Sequence, residues 1–296
     1  MKQKIILYSI CLCLFFACKK DKKTPDPDTK LYPISFNVSG FSQTNVPTAD
    51  KAKTNSLTIQ ATDTIPVQSL YYAVYVDRGP LYGHGPLVTY RRVLKGDQNF
   101  GQFKDNLPAG TYQALFCGGS NNLIFDIPDV AFYYNTHTWD DTFYKVVPFT
   151  VTSGPVNQSV VIPRRTAKLS LVIKDAIPTG TSKIVVHFSD SSSIKPYYPP
   201  ASLVTNQTTQ VINATDAGKA NYTFSMNTLN DTRPFDVTVD YYGPNPVGPL
   251  GTKIIKNVVC KPNTRTILSG YLFTQDNGQF TITVNQDWNP PVNVNF

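Results

Sequence analysis

From Tyr32 onward, apolar and polar residues alternate with a period of two. Ile34, Phe36 and Val38 interleave with Ser35, Asn37 and Ser39, and Leu57, Ile59 and Ala61 repeat the pattern. That period sends successive side chains to opposite faces of a strand. "LYYAVYV", residues 70–76, is aromatic and β-branched on both faces and reads as a strand. "LPAGTYQALFCGGS" follows: Pro108-Ala109-Gly110 predicts a tight turn with Gly110 at positive φ, and the next strand turns Tyr112, Ala114 and Phe116 to one face. A second set begins near Val160 with "VVIPRRTAKLSLVI" and continues through "KIVVHFSD", "YTFSM", "FDVTVDYY", "KIIKNVVC", "TRTILSGYLF" and "QFTITVNQDW". No segment carries a 3.6-residue apolar period. Short strands separated by Pro, Gly, Asn and Asp predict an all-β protein of two tandem antiparallel β-sandwiches.

The boundary falls at Pro163-Arg164-Arg165, giving domains 31–163 and 164–296. "VVIPRRTAKLSL" and "VVCKPNTRTILSG" each place a proline and an Arg-Thr pair between two strands. The echo predicts two similarly built hairpins.

Ahead of the strands lies different material. A basic opening, Met1 to Lys4, precedes an apolar run from Ile5 to Ala17 that is too short for a spanning helix, which needs roughly 20 residues. It reads as a secretory signal, residues 1–17. Phe15-Phe16-Ala17-Cys18 resembles a bacterial lipobox, which implies a diacylglyceryl group on Cys18 and cleavage before it. Each buried methylene of such a chain contributes about 0.8 kcal/mol, so two or three chains hold a domain at a bilayer. "KKDKKTPDPDT", residues 19–29, is charged, broken by proline and free of core-forming residues; residues 18–30 are expected to be a flexible tether.

The charge balance argues against nucleic acid: the formal net charge is +7, falling to about +5 when Lys2 and Lys4 leave with the signal. Cys11 and Cys13 lie in the signal and Cys18 takes lipid, which leaves Cys117 and Cys260. Their separation favours buried free thiols over a disulfide.

Catalysis finds no support. His84, His137 and His187 have no metal-ligand spacing, no serine sits in a nucleophile elbow, and Gly83-His84-Gly85 precedes no helix. No cofactor is expected. "THTWDD" gathers His137, Trp139, Asp140 and Asp141 into one polar loop. Trp139, with Tyr133 and Tyr134, is the candidate glycan contact, since aromatic faces stack on sugar rings. The pairs Tyr71-Tyr72, Tyr133-Tyr134, Tyr197-Tyr198 and Tyr241-Tyr242 are expected to put one ring in a core and the other on a sheet surface. Asp63-Thr64-Ile65 resembles a short O-glycosylation motif of Bacteroidetes secreted proteins.

The lipobox, the two β-rich halves, "NVVCKPNTRTILSGYLF" and the closing "FTITVNQDWNPPVNVNF" together resemble the Bacteroidetes fimbrillin-like lipoproteins, the subunits and anchors of type V fimbriae. The resemblance implies two transthyretin-like sandwiches, outer-membrane attachment facing the cell surface, and assembly with fimbrial subunits by β-strand addition. Val292, Val294 and Phe296 alternate with Asn293 and Asn295 after Pro290-Pro291, as an exchanged strand or one that completes its own sheet would do. Shaft subunits of that family lose their lipidated N-terminal segment to an arginine-directed protease. In this chain the first arginine after the signal is Arg78, which favours an anchor that keeps its lipid. A glycan-binding lipoprotein of a polysaccharide-uptake system is the alternative.

Overall fold

The computed structural model describes residues 30–42, 67–79, 83–136, 138–197, 202–230, 233–245, 247–274 and 280–285. Cys18, Leu57 to Ala61, Thr64, His137, Tyr198 and the segment with Val292, Val294 and Phe296 lie outside them.

The strands of the first half are β1 (Tyr32–Ser42), β2 (Ser69–Asp77), β3 (His84–Leu94), β4 (Gln102–Leu107), β5 (Gly110–Gly119), β6 (Ile124–Asp126), β7 (Ala131–Tyr133), β8 (Phe143–Val151) and β9 (Val156–Pro163). Those of the second are β10 (Ala167–Ile173), β11 (Lys183–Ser191), β12 (Leu203–Val211), β13 (Tyr222–Thr228), β14 (Phe235–Tyr242), β15 (Gly251–Val258), β16 (Arg265–Gly270) and β17 (Thr281–Asn285). The one helical element described is a single 3-10 turn, Ala214–Asp216.

Sheets β4-β1-β9 and β3-β2-β5-β8 enclose one core; β13-β10-β16-β17 and β12-β11-β14-β15 enclose another. Both halves repeat one topology. β1 pairs antiparallel with β4 and parallel with β9, just as β10 pairs antiparallel with β13 and parallel with β16. The all-antiparallel expectation therefore needs one correction per sandwich. The first and last strands of the repeat both run the same way along the sandwich, so their pairing is parallel.

Two local expectations also change. Gly110 is not at positive φ. It opens β5 beneath Tyr112, whose hydroxyl donates to the Pro108 carbonyl at 2.9 Å, and a Cβ there would sit 3.1 Å from that hydroxyl. The echoing segments are not hairpins: β9 and β10 belong to different sandwiches, and β15 and β16 to facing sheets. They meet each other instead, with Asn263 N–H donating to the Thr166 carbonyl at 2.9 Å.

The alternation read in β1 delivers Ile34, Phe36 and Val38 to the first core, where Phe36 meets Phe116 and Phe149 edge-on at 5.5 and 5.1 Å. Burying each such side chain contributes about 1.5–3 kcal/mol. Leu169, Leu171 and Ile173 of β10 hold the same place in the second core. β2 is buried on both faces. Tyr72 points into the first core, while Tyr71 enters a third cluster on the opposite face of the sheet. The expected surface ring is therefore a second core ring, covered by material that the pattern of β2 alone cannot reveal.

Candidate functional site

The third cluster lies on the outer face of β2 and β5, at the meeting of the two sandwiches. Tyr71, Ala73, Tyr75, Leu115 and Cys117 form its floor. Phe125 and Phe132 of the β6–β7 pair stack over it with ring centroids 4.4 Å apart. The second sandwich contributes Ile194 and Leu229. The contact is also hydrogen-bonded: Phe132 and Ile194 exchange backbone bonds of 3.0 and 2.8 Å.

Trp139 and Tyr134 belong to this joint. Trp139 is 4% exposed and its indole N–H donates to the Ser191 carbonyl at 2.9 Å. Tyr134 is 2% exposed, lies edge-on to Trp139, and sits 3.2 Å from the Thr142 hydroxyl. Burial pushes the Tyr134 phenol up to about 12. Neither ring offers a face to a sugar, because the loop that carries them closes against the second domain. Tyr133, next in line, is half-buried, and Asp140 is exposed.

Arg164 closes the joint between β9 and β10. Its side chain is 1% exposed, donates to Asp141 Oδ2 at 3.1 Å and to Asn263 Oδ1 at 3.3 Å, and lies over the Phe143 ring at 5.2 Å. Burial raises the Asp141 pKa, with Arg164 and Lys168 opposing it. The sequence marked Arg164-Arg165 only as a boundary; a charged pair at a domain junction was the available signal for a buried ion pair.

Asp190 was not singled out by the sequence, standing at the end of an ordinary strand. It is fully buried and accepts from the backbone N–H groups of Ser191 (2.9 Å) and Leu229 (2.7 Å), from the Thr228 hydroxyl (3.2 Å) and from the Asn206 amide (3.4 Å). Burial pushes its pKa up to about 7. These bonds satisfy the buried carboxylate and tie β11 to β12 and to the end of β13.

The remaining chemistry is dispersed. His187 Nε2 lies 3.2 Å from Asp240 Oδ2, while the Thr252 hydroxyl donates to Asp240 Oδ1 at 2.6 Å. The Thr252 hydroxyl is thus bonded to the carboxylate and not to the imidazole, which is not the hydroxyl–imidazole–carboxylate order of an activated nucleophile. His84 packs against Tyr75 and Tyr197. Cys117 and Cys260 are buried and free; burial raises both thiols, Cys260 to about 12. Among the described residues no group of three or more His, Cys, Asp or Glu side chains could hold a metal ion, and no helix is long and apolar enough to cross a membrane.

Two surface features are open. A shallow cleft of about 670 Å³ lies at the end of the second sandwich away from the joint, lined by Pro178, Thr179, Thr181, Tyr241, Asn245 and Leu250 among others, with no charged side chain. The outermost strands of the four sheets, β3, β4, β8, β9, β12, β13, β15 and β17, each have a ladder partner on one side only among the described residues.

No family model matches the sequence, and no curated protein matches it. Solved structures do. The fimbrial anchor protein Mfa2 from Porphyromonas gingivalis superposes with a TM-score of 0.52 at 10% identity, over 86% of this chain and 98% of that one. A protein described as an adhesin from Bacteroides thetaiotaomicron gives 0.52 at 12% identity, over 90% of this chain and 99% of that one. A protein from the same species described as polysaccharide-binding gives 0.52 at 8% identity, over 86% and 96%. At such identities the likeness establishes the fold, and the fold is the all-β architecture that the fimbrillin-like resemblance implies.

Proposed function

We propose that this chain is a non-catalytic surface lipoprotein of the fimbrial anchor type, held at the outer membrane through lipid on Cys18 and presenting its sandwiches to fimbrial subunits. The observation that carries the reading is the place of β1. It is the central strand of β4-β1-β9, and Ile34, Phe36 and Val38 lie within the first core. No arginine occurs between Cys18 and Arg78, so an arginine-directed protease has no site at which to release β1. A chain that keeps β1 keeps whatever is attached ahead of it. The likeness to a fimbrial anchor protein supports the same reading.

Mass spectrometry of the mature N-terminus tests it. A diacylglyceryl-modified Cys18 is expected; an unlipidated chain beginning beyond Lys30 would end the anchor reading and favour a shaft subunit.

A second reading, glycan binding, draws on the neutral cleft. Tyr241, Thr179, Thr181 and Asn245 combine an aromatic body with hydroxyl and amide groups, as uncharged sugars require. Specific binding on a glycan array that is lost in Tyr241→Ala and kept in Trp139→Phe would favour it.

A further inference from the structure

The second sandwich meets the first through the ends of two of its strands, and one buried carboxylate fastens both. Ser191, the last residue of β11, accepts the Trp139 indole N–H at its carbonyl, and three residues on Ile194 exchanges backbone bonds with Phe132. Leu229, which follows β13, buries its side chain in the third cluster. The N–H groups of both Ser191 and Leu229 donate to Oδ1 of Asp190, at 2.9 and 2.7 Å, and the Thr228 hydroxyl donates to the same oxygen at 3.2 Å. Oδ2 receives the longer bond, 3.4 Å, from the Asn206 amide of β12. All four donors are uncharged. The Cys260 thiol faces the carboxylate from beyond β15, its pKa raised first by burial and to a lesser degree by Asp190. Arg233, the cation on this side, donates to Ser191 Oγ at 3.3 Å.

We infer that Asp190 is a pH-sensitive latch on the joint: protonated, it holds the ends of β11 and β13 against the first sandwich, and ionised, it lets them part. The division of bonds between its two oxygens gives the sign. Oδ1 already accepts three, so the proton resides on Oδ2, and protonation leaves every bond to Ser191, Thr228 and Leu229 in place. Ionisation puts charge on Oδ2 as well, where a long bond from a neutral amide stands in for the water of the open chain. Burial accordingly pushes the carboxyl from the ordinary 3.8 up to about 7. A carboxyl raised in this way favours the closed joint fully below its ordinary value; the preference is lost as pH climbs from about 4 to about 7 and is constant above. Parting the strand ends returns water to the carboxylate, since Ser191 and Leu229 are at once its donors and contacts of the joint.

A second acid of the joint lies on the side of the first sandwich. Asp141 is also raised by burial, but it lies against Arg164 and Lys168, which oppose the shift. It makes no bond to Ser191 or Leu229, whose N–H groups go to Asp190. Its share of any pH response therefore survives replacement of Asp190, which lets the two be told apart.

Native-state hydrogen exchange, read residue by residue on the full chain, tests the latch. After correction for the intrinsic rates at each pH, protection of the amides of Phe132, Ser191, Ile194 and Leu229 is expected to fall about tenfold or more between pH 5 and pH 7.5. The amides of Leu169 and Leu171, in the second core, should stay better protected than these at both pH values, which separates opening of the joint from unfolding of the domain. Asp190→Asn should reduce the fall to less than about threefold. Thr228→Val, which takes one neutral donor from Oδ1 and leaves the carboxyl in place, should enlarge it. Protection independent of pH in the unaltered protein would overturn the inference, as would an equal fall in Asp190→Asn. Exchange of joint and core amides at one common rate at pH 7.5 would do so too, because the carboxylate would then gain water only when the whole domain unfolds. If Asp190→Asn does not fold, a fall left unaltered by Thr228→Val is the overturning result.

Discussion

Replacing Arg164 with methionine should loosen the joint in a way that pH can identify. Methionine keeps hydrocarbon over the Phe143 ring but removes the cation facing Asp141. Breaking a buried ion pair from one side costs about 3–5 kcal/mol. Asp141 is 22% exposed at its side chain and also feels Lys168, so the lower end, about 3 kcal/mol, is the expected loss at pH 7. For a chain of this size that lowers the Tm by roughly 10 °C. The pH dependence follows from the direction of the Asp141 shift. Burial already holds its folded pKa above the ordinary 3.8. A carboxyl of that kind weakens the folded state as pH rises above the unfolded value, and the loss is complete above the folded pKa. Without Arg164 the folded pKa climbs further, so the penalty grows and its window extends upward. Lowering the pH toward 4 protonates Asp141 and should return most of the deficit. Urea denaturation followed by circular dichroism at pH 7 and pH 4.5 measures both effects, and Arg164→Met combined with Asp141→Asn should recover part of the loss at pH 7. A cost below about 1 kcal/mol at both pH values would refute a structural role for the pair.

Asp190 should impose its own slope. Its folded pKa of about 7 exceeds the ordinary 3.8, so the protein loses stability as pH rises from about 4 to about 7 and levels off above; Asp190→Asn should flatten this window in urea midpoints, and an unchanged slope would contradict the assignment. Cys117 and Cys260 should resist a thiol reagent in the native protein and react when it is unfolded, with rapid native labelling as the contrary result. Trp139→Ala should destabilise by about 3–5 kcal/mol in the same urea assay, since it opens a cavity at the joint and frees the Ser191 carbonyl; a loss below about 1 kcal/mol would argue against its packing role.

The strands were legible because alternation of period two is a direct image of a sheet with one buried face. Ile34, Phe36 and Val38 could be assigned to a core from the sequence, whereas β2, apolar on both faces, was expected to leave one ring of Tyr71-Tyr72 on the sheet surface and is buried on both. What covers the second face was hidden. Tyr71 lies edge-on to Phe125 and Phe132 and donates to the Leu123 carbonyl 52 residues along the chain, and pattern within a strand carries no information about such partners. Trp139 failed as a sugar contact for the same reason: a tryptophan in a polar loop reads identically whether the loop faces solvent or another domain. The repeat was misread through a resemblance of short words. The duplicated unit is β1 to β9 against β10 to β16, and it is a duplication of pairing, not of residues.

The direction of β1 bears on how the molecule carries load. Its first residues pair with the end of β4 farthest from the joint, and its last with the end of β9 beside Arg164. Tension applied through the chain ahead of Tyr32 therefore pulls β1 along its own length. The bonds to β4 and β9 stand across that pull and share it. Such a strand yields by sliding, with two ladders breaking together, instead of peeling bond by bond. The first sandwich is in this sense a shear clamp, and its strength under force is set by the pairing of a single strand more than by the stability of the whole domain.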